Sequence, residues 1–313
     1  MKARALGKSG LNVSVVGLGC NNFGILDLDA SRRVVERALD LGVTLFDTAD
    51  IYGGRGGSEE QLGQILGPRR KNIVLATKFG MAMDDDPEKA RGSRAYVVTA
   101  VEASLKRLKT DWIDLYQYHT PDPRTPLEET LRALDDLVRS GKVRAIGCSN
   151  LPPQGVREAK AISAREGLAA FATAQDEYSL LVRGAERDLM PALRDCGMSL
   201  LPYFPLASGM LTGKYRRGAA VPVGTRYARS KRFSDRYMND ENWAIVERLE
   251  ASCAGRGRTL LDLAFAWLLS HDALASVIAG ATRPEQVEQN VKAAGWVLSA
   301  DEFAEVDRLT AKS

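Results

Sequence analysis

Hydrophobic runs of strand length alternate with helix-length patterns along almost the whole chain. The runs at 15–19, 44–47, 73–78, 113–119, 143–149, 171–175, 199–203 and 276–279 read as strands buried on both faces. Helical periodicity fills the gaps, for example at 31–41, 96–108 and 127–138. Pro126 suits the first turn of that last helix, and Gly141 falls just past its end. Strand and helix in strict alternation predict parallel βα units. Eight such units predict an α/β fold of the (β/α)8 TIM-barrel type, and no GxGxxG follows the first strand to suggest an open dinucleotide-binding sheet. Residues 6–13, with the turn Gly7-Lys8-Ser9-Gly10, predict an N-terminal β-hairpin. Patterns at 242–254 and 300–309 exceed the eight units and predict two extra capping helices. No low-complexity linker divides the chain, so residues 1–313 read as one domain.

Composition narrows the function classes. A length of 313 residues suits a barrel, which needs roughly 250. The formal net charge of +3 is near neutral, so neither nucleic acid nor a membrane surface is expected as partner. The longest apolar stretch, 260–269, is interrupted by Asp262 and too short for a bilayer, and it reads as a buried helix. Residues 1–8 lack the apolar core of a signal peptide. Cys20, Cys148, Cys196 and Cys253 lie far apart without CxxC spacing, as reduced thiols of a cytoplasmic protein do. With two histidines in all, no His-rich metal site is expected.

Chemistry concentrates where predicted strands end. Asp47 and Tyr52 share the segment Asp47-Thr48-Ala49-Asp50-Ile51-Tyr52, Lys78 ends the third strand and His119 the fourth. Barrel enzymes build their sites at that end of the strands. A carbonyl reduced by hydride needs a proton for its developing alkoxide. A free Tyr, titrating near ~10, is a weak acid for the task. An adjacent ammonium favours the phenolate and lowers that value. A carboxylate keeps the ammonium in place, and an imidazole orients the substrate oxygen. Singly, an Asp caps turns, a loop Tyr packs and a His sits in a core. A Lys inside a barrel is costly unless paired, and the four together point to catalysis.

The surrounding residues resemble the aldo-keto reductase family. The resemblance is carried by 42–52 with Ser58-Glu59, by Ser104-Leu105-Lys106-Arg107-Leu108, by Asp111-Trp112-Ile113-Asp114-Leu115-Tyr116 with His119, and by 140–147 with Ser149-Asn150. It implies a barrel that reduces aldehydes or ketones with NADPH. It further implies Tyr52 as general acid, Lys78 and Asp47 as its tuning pair, and His119 as carbonyl-positioning residue. Ser149, Asn150 and Gln175 would hold the nicotinamide carboxamide, and Tyr203 would stack on the ring. Asn150 also suits a cap for the helix starting near Pro152. Pro205, Leu206, Ala207, Ser208, Gly209 and Lys214 resemble the pyrophosphate loop, whose glycines admit backbone N–H groups to phosphate. Gly280, Thr282, Arg283, Gln286, Gln289 and Asn290 resemble the adenosine end, with Arg283 and Thr282 toward a 2′-phosphate. Thr282 also reads as cap of a helix with Pro284 in its first turn, and a helix N-terminus itself suits phosphate. Gly19 falls at the cofactor contact of the first strand.

The chain departs from the pattern in places. Ala279-Gly280-Ala281 stands where many relatives have Pro-Lys-Ser, and Gln286 where they carry a basic residue. Arg283 compensates. Cys20 follows Gly19 in place of Thr, and Thr120 follows His119 in place of a bulky residue; with Asn21, Asn22 and Phe23 it shapes the substrate pocket. Residues 207–239, rich in Lys and Arg, read as a long loop folding over an anionic cofactor. The competing readings are a sugar or polyol dehydrogenase, an NADPH-sensing subunit of a potassium channel, and a Schiff-base enzyme using Lys78. The partner expected is a small carbonyl compound.

Overall fold

The computed structural model describes residues 1–311. A short antiparallel hairpin comes first, β1 (Ala3–Ala5) and β2 (Asn12–Ser14). Eight parallel strands follow: β3 (Val16–Gly19), β4 (Leu45–Asp47), β5 (Val74–Phe79), β6 (Ile113–Tyr118), β7 (Val143–Ser149), β8 (Phe171–Glu177), β9 (Ser199–Tyr203) and β10 (Val277–Gly280). They pair in chain order, and β10 returns to pair with β3. Between β9 and β10 the ring is completed by a parallel bridge, Leu200 to Leu274. This is the predicted (β/α)8 barrel.

Helices cover the outside: α1 (Leu28–Asp40), α2 (Tyr52–Ile65), α3 (Arg94–Leu108), α4 (Leu127–Arg139), α5 (Pro153–Glu166), α6 (Leu189–Cys196), α7 (Arg226–Arg229), α8 (Lys231–Tyr237), α9 (Asp240–Ala254), α10 (Leu260–Leu269), α11 (Pro284–Ala293) and α12 (Ala300–Thr310). Their starts follow local chemistry. Asp27 accepts from the Ala30 N–H at 2.7 Å to open α1. Reciprocal capping boxes, Thr259 with Asp262 and Ser299 with Glu302, open α10 and α12. Pro126 caps α4 one residue before its first turn, a small correction, and Gly141 takes the expected left-handed turn at φ 76°. Among the described residues no helix is long and apolar enough to cross a membrane.

The barrel interior holds Leu45, Val74, Ala76, Leu115, Ala145, Leu201, Ala275 and Ile278, and the hairpin plugs one end with Leu6, Leu11 and Val13. Burying each of the Leu, Val and Ile side chains contributes about 1.5–3 kcal/mol. The hairpin turn presses so close that a Cβ on Gly7 would lie 2.1 Å from the Ala172 carbonyl oxygen. With this end sealed, chemistry is left to the strands' C-terminal ends.

One expectation needs correction. Residues 207–239 are not a bare loop: a 3-10 turn at Ala207–Thr212 and helices α7 and α8 lie within them. A ladder of stacked rings, Tyr215 on Tyr227 at 4.5 Å and Tyr227 on Tyr237 at 6.2 Å, stiffens the segment. Helix α2 is continuous only beyond the Gly53-Gly54-Arg55-Gly56 turn, whose four residues all have positive φ. Glycine is required there, since a Cβ on Gly53 would sit 2.5 Å from the Phe23 carbonyl oxygen.

Candidate active site

Asp47 is the last residue of β4, Tyr52 opens α2, Lys78 is the penultimate residue of β5, and His119 follows β6 by one residue. The fold brings the four together. Lys78 is fully buried, and its Nζ donates to Asp47 Oδ2 at 2.8 Å, to the Thr48 carbonyl at 2.8 Å and to the Tyr52 hydroxyl at 3.4 Å. Burial alone would discharge this ammonium, but Asp47 and Tyr52 outweigh it and hold its pKa above the usual lysine value. The His119 ring meets Tyr52 edge-on at 5.8 Å.

Two protonation states follow. Burial, helped by the Lys78 charge, pushes His119 down to about 3, so its ring is neutral across the physiological range. Tyr52 departs from the simple expectation: Lys78 does pull its pKa down, but burial is stronger and leaves it above 10. The phenol therefore keeps its proton at neutral pH. The neighbouring Cys20 thiol, fully buried, is pushed well above its ordinary value by burial and then by Asp47, and it stays protonated.

The proposed nicotinamide residues form one hydrogen-bonded chain. Tyr203 Oη donates to Asn150 Oδ1 at 3.1 Å; Asn150 Nδ2 donates to the His119 carbonyl and to Ser149 Oγ, each at 3.0 Å; Ser149 Oγ donates to the Gln175 carbonyl at 2.7 Å. Asn150 does not cap α5, whose N-cap is Pro152; it adopts a left-handed φ of 57° instead. Gln175 points its amide nitrogen at Asp47 Oδ1, 2.8 Å away. Gly19 pairs with Gly280 and Asp47, and a Cβ there would crowd Ile278 at 3.2 Å.

A second group lies beyond β9. Ala207, Ser208 and Gly209 all have positive φ, after Pro205 and Leu206, and the buried Ser208 hydroxyl lacks a partner. A Cβ on Gly209 would lie 2.9 Å from Lys214 Nζ. Partial burial and the charges of Arg226 and Arg283 lower the Lys214 pKa. Arg226, from α7, lies over the rings of Phe204 and Phe233 and reaches Asn22 Oδ1 at 3.4 Å. Burial pulls its pKa down while the phenols of Tyr215, Tyr227, Tyr237 and Tyr52 oppose this. None of the three cations makes an ion pair among the described residues. On the α11 side, Arg283, not Thr282, holds the N-cap position, and Gln286 accepts from the Thr282 N–H at 2.7 Å. Gln286 is thus engaged locally. Gln289 is exposed and Asn290 buried on the same helix.

Sequence reasoning missed two participants. Gln117 on β6 donates to Asp47 Oδ1 at 3.3 Å, and its signal was an amide two residues before His119 in a strand buried throughout. Arg226 looked like one cation among many in its segment, and nothing local singled it out.

Fold and site together define a (β/α)8 barrel with a buried Lys–Asp–Tyr cluster at its strand ends. The family model described as Aldo/keto reductase family matches residues 15–311, and the chain belongs to that family of NAD(P)H-dependent oxidoreductases. It is 34% identical to an L-glyceraldehyde 3-phosphate reductase of Escherichia coli (strain K12), over 98% of this chain and 92% of that one. It is 37% identical to an uncharacterized oxidoreductase, YrpG, of Bacillus subtilis (strain 168), over 94% and 91%. It is also 37% identical to a probable voltage-gated potassium channel subunit beta of Arabidopsis thaliana, over 94% and 91%.

Proposed function

We propose that residues 1–313 act as one cytoplasmic, NADPH-dependent reductase that converts aldehydes or ketones to alcohols, with Tyr52 as general acid. The observation that carries the reading is the Lys78 ammonium held between Asp47 and Tyr52 at the open end of the barrel. When bound, NADPH supplies the hydride. Tyr52, still protonated at neutral pH, gives its proton to the carbonyl oxygen, and Lys78 stabilises the phenolate left behind. Neutral His119 offers an N–H to orient that oxygen.

The residues fit the cofactor. Residues 207–209 form a positive-φ turn in which the Ala207 and Gly209 N–H groups donate to the Phe204 and Leu206 carbonyls, and three cations without an ion pair among the described residues, Lys214, Arg226 and Arg283, suit its phosphates. Arg283 at a helix N-terminus favours the 2′-phosphate form. Ser149, Asn150 and the oxygen of the Gln175 amide serve the carboxamide, and Tyr203 the ring face. Gln289 and Asn290 flank the adenine end. The four free cysteines, all buried, accord with a reducing compartment.

The bacterial relative's name puts a short phosphorylated aldehyde first among substrates to try. NADPH oxidation with that compound and with aromatic, aliphatic and sugar aldehydes tests the reading. Tyr52→Phe should lose about 10²–10⁴-fold in turnover while NADPH still binds. Retained turnover would overturn the role of Tyr52. A second reading follows from the plant relative: a nucleotide-binding channel subunit. Tight NADPH binding without turnover of any carbonyl would favour it. Alcohol oxidation faster than carbonyl reduction would favour a polyol dehydrogenase.

A further inference from the structure

Barrel interiors are filled by layers of branched apolar side chains. One layer here is polar. Lys78, Gln117, Gly147 and Thr173 stand side by side in register across β5, β6, β7 and β8. Gln117, Thr173 and Lys78 have no solvent exposure, and Gln175, one step nearer the mouth, has 2%. Burying such groups is unfavourable unless they are hydrogen-bonded, so their bonds show what the layer serves.

The bonds converge on Asp47. Lys78 takes Oδ2. Gln175 at 2.8 Å and Gln117 at 3.3 Å both donate to Oδ1. Thr173 Oγ1 donates to Gln117 Oε1 at 3.5 Å, which fixes the amide with its nitrogen toward Asp47. Gly147 makes the room: a Cβ there would lie 2.3 Å from Thr173 Oγ1 and 3.1 Å from Gln117 Cγ.

We propose that Gln117 is a positioning residue of the proton-transfer centre: with Gln175 it occupies the Asp47 oxygen that Lys78 leaves, and so fixes the carboxylate that holds Lys78 against Tyr52. The proposal rests on Tyr52 being the proton donor. The ionisable groups facing Asp47 are Lys78 on β5, Tyr52 at the head of α2 and the Cys20 thiol past β3. A carboxylate that loses a donor is held less firmly, so losing Gln117 loosens Lys78 from the Tyr52 hydroxyl.

The test is the pH profile of kcat in Gln117→Met, beside NADPH affinity and thermal unfolding. Turnover at neutral pH should fall about tenfold, and the alkaline limb, set by the Tyr52 proton, should rise by about one pH unit because Lys78 pulls the phenol's pKa down less. The Kd for NADPH should stay within about twofold of the parent, which separates Gln117 from a cofactor contact. Gln117→Glu, which sets a second carboxylate against Asp47, should move the limb further. Thr173→Val should move it less and in the same direction, and it carries the test alone if Gln117→Met does not fold. An unshifted profile, or an activity loss matched by a loss of NADPH affinity, would overturn the proposal. If Tyr52→Phe is inactive in that case, only the role of Gln117 falls; if Tyr52→Phe turns over, both readings fall.

Discussion

The Asp47–Lys78–Tyr52 centre and the cation cluster beside β9 handle charge in opposite ways. In the centre, buried Lys78 is bonded to Asp47, Thr48 and Tyr52, and both oxygens of Asp47 are occupied. In the cluster, Lys214, Arg226 and Arg283 repel one another and none has an acidic partner among the described residues. The centre is complete within the protein. On the proposed reading, the cluster awaits an anion that comes from outside. Preorganised charge serves chemistry, where reorganisation would cost rate. Unpaired charge serves binding, where the ligand supplies the missing sign.

The contrast breaks most visibly at Lys78. Lys78→Met should lower folding stability by about 3–5 kcal/mol, because Asp47 is left buried and unpaired. Turnover should fall at least as far as in Tyr52→Phe, since the phenolate loses its stabilising charge. Adding Asp47→Leu should restore most of the stability and none of the turnover. Urea unfolding and NADPH oxidation measure the two effects separately. A single Lys78→Met variant as stable as the parent would show that the pair does not hold the centre together.

The cluster should respond with the other sign. Arg226→Met removes a repelling charge, so the ligand-free protein should unfold at the same or higher urea concentration. NADPH binding should weaken about 10–100-fold, as for the loss of a charge-assisted hydrogen bond. Fluorescence titration at several salt concentrations checks both, since a charge-driven site also weakens with salt in the parent. A destabilised Arg226→Met with unchanged NADPH affinity would make the stacking on Phe204 and Phe233 the reason for that residue.

Legibility in the sequence divides along the same line. The centre was readable because its members lie at or just after strand ends, and strand ends follow from hydrophobic runs. Lys78 stood out since a Lys closing an apolar run needs a partner. The barrel was readable for the same reason, down to Leu260–Leu269 as a buried helix. The cluster was only half legible. Arg226 reaches the site because α7 folds back over Phe204, a tertiary event with no local signature. Helices α7 and α8, four and seven residues long, were lost in a polar, Gly- and Pro-bearing segment. Cap readings failed at Asn150 and Thr282 because a side chain fit to cap was instead engaged, one with His119 and Ser149, the other with Gln286. The net rise of the Tyr52 pKa was beyond sequence as well, since burial competes with Lys78 and burial depth is a property of the fold.

Asp50 tests a case between the two regions, a buried acid that makes no ion pair among the described residues. It lies between Asp47 and Tyr52, 1% exposed, and neither carboxyl oxygen completes a hydrogen bond. Burial and then Glu59 raise its pKa to about 8, against the pull of Arg107, the Ile51 N–H and Lys78. The folded chain therefore keeps this proton at pH values where the unfolded chain has lost it. Below the ordinary carboxyl pKa both states hold it and Asp50 adds no slope. As pH rises from there toward 8, the unfolded state binds fewer protons and stability falls, by about 1.4 kcal/mol per pH unit for a fully displaced site. Asp50→Asn keeps the shape of the protonated acid and removes the titration. It should flatten the decline and stabilise the fold near pH 7 by about 1–2 kcal/mol, less than the ideal slope implies because local relaxation and water entry weaken the penalty of burial. Urea midpoints from pH 4 to pH 8 measure the slope directly. An unchanged slope in Asp50→Asn would mean that Asp50 is ionised in the fold, and that Arg107 neutralises it as Lys78 neutralises Asp47.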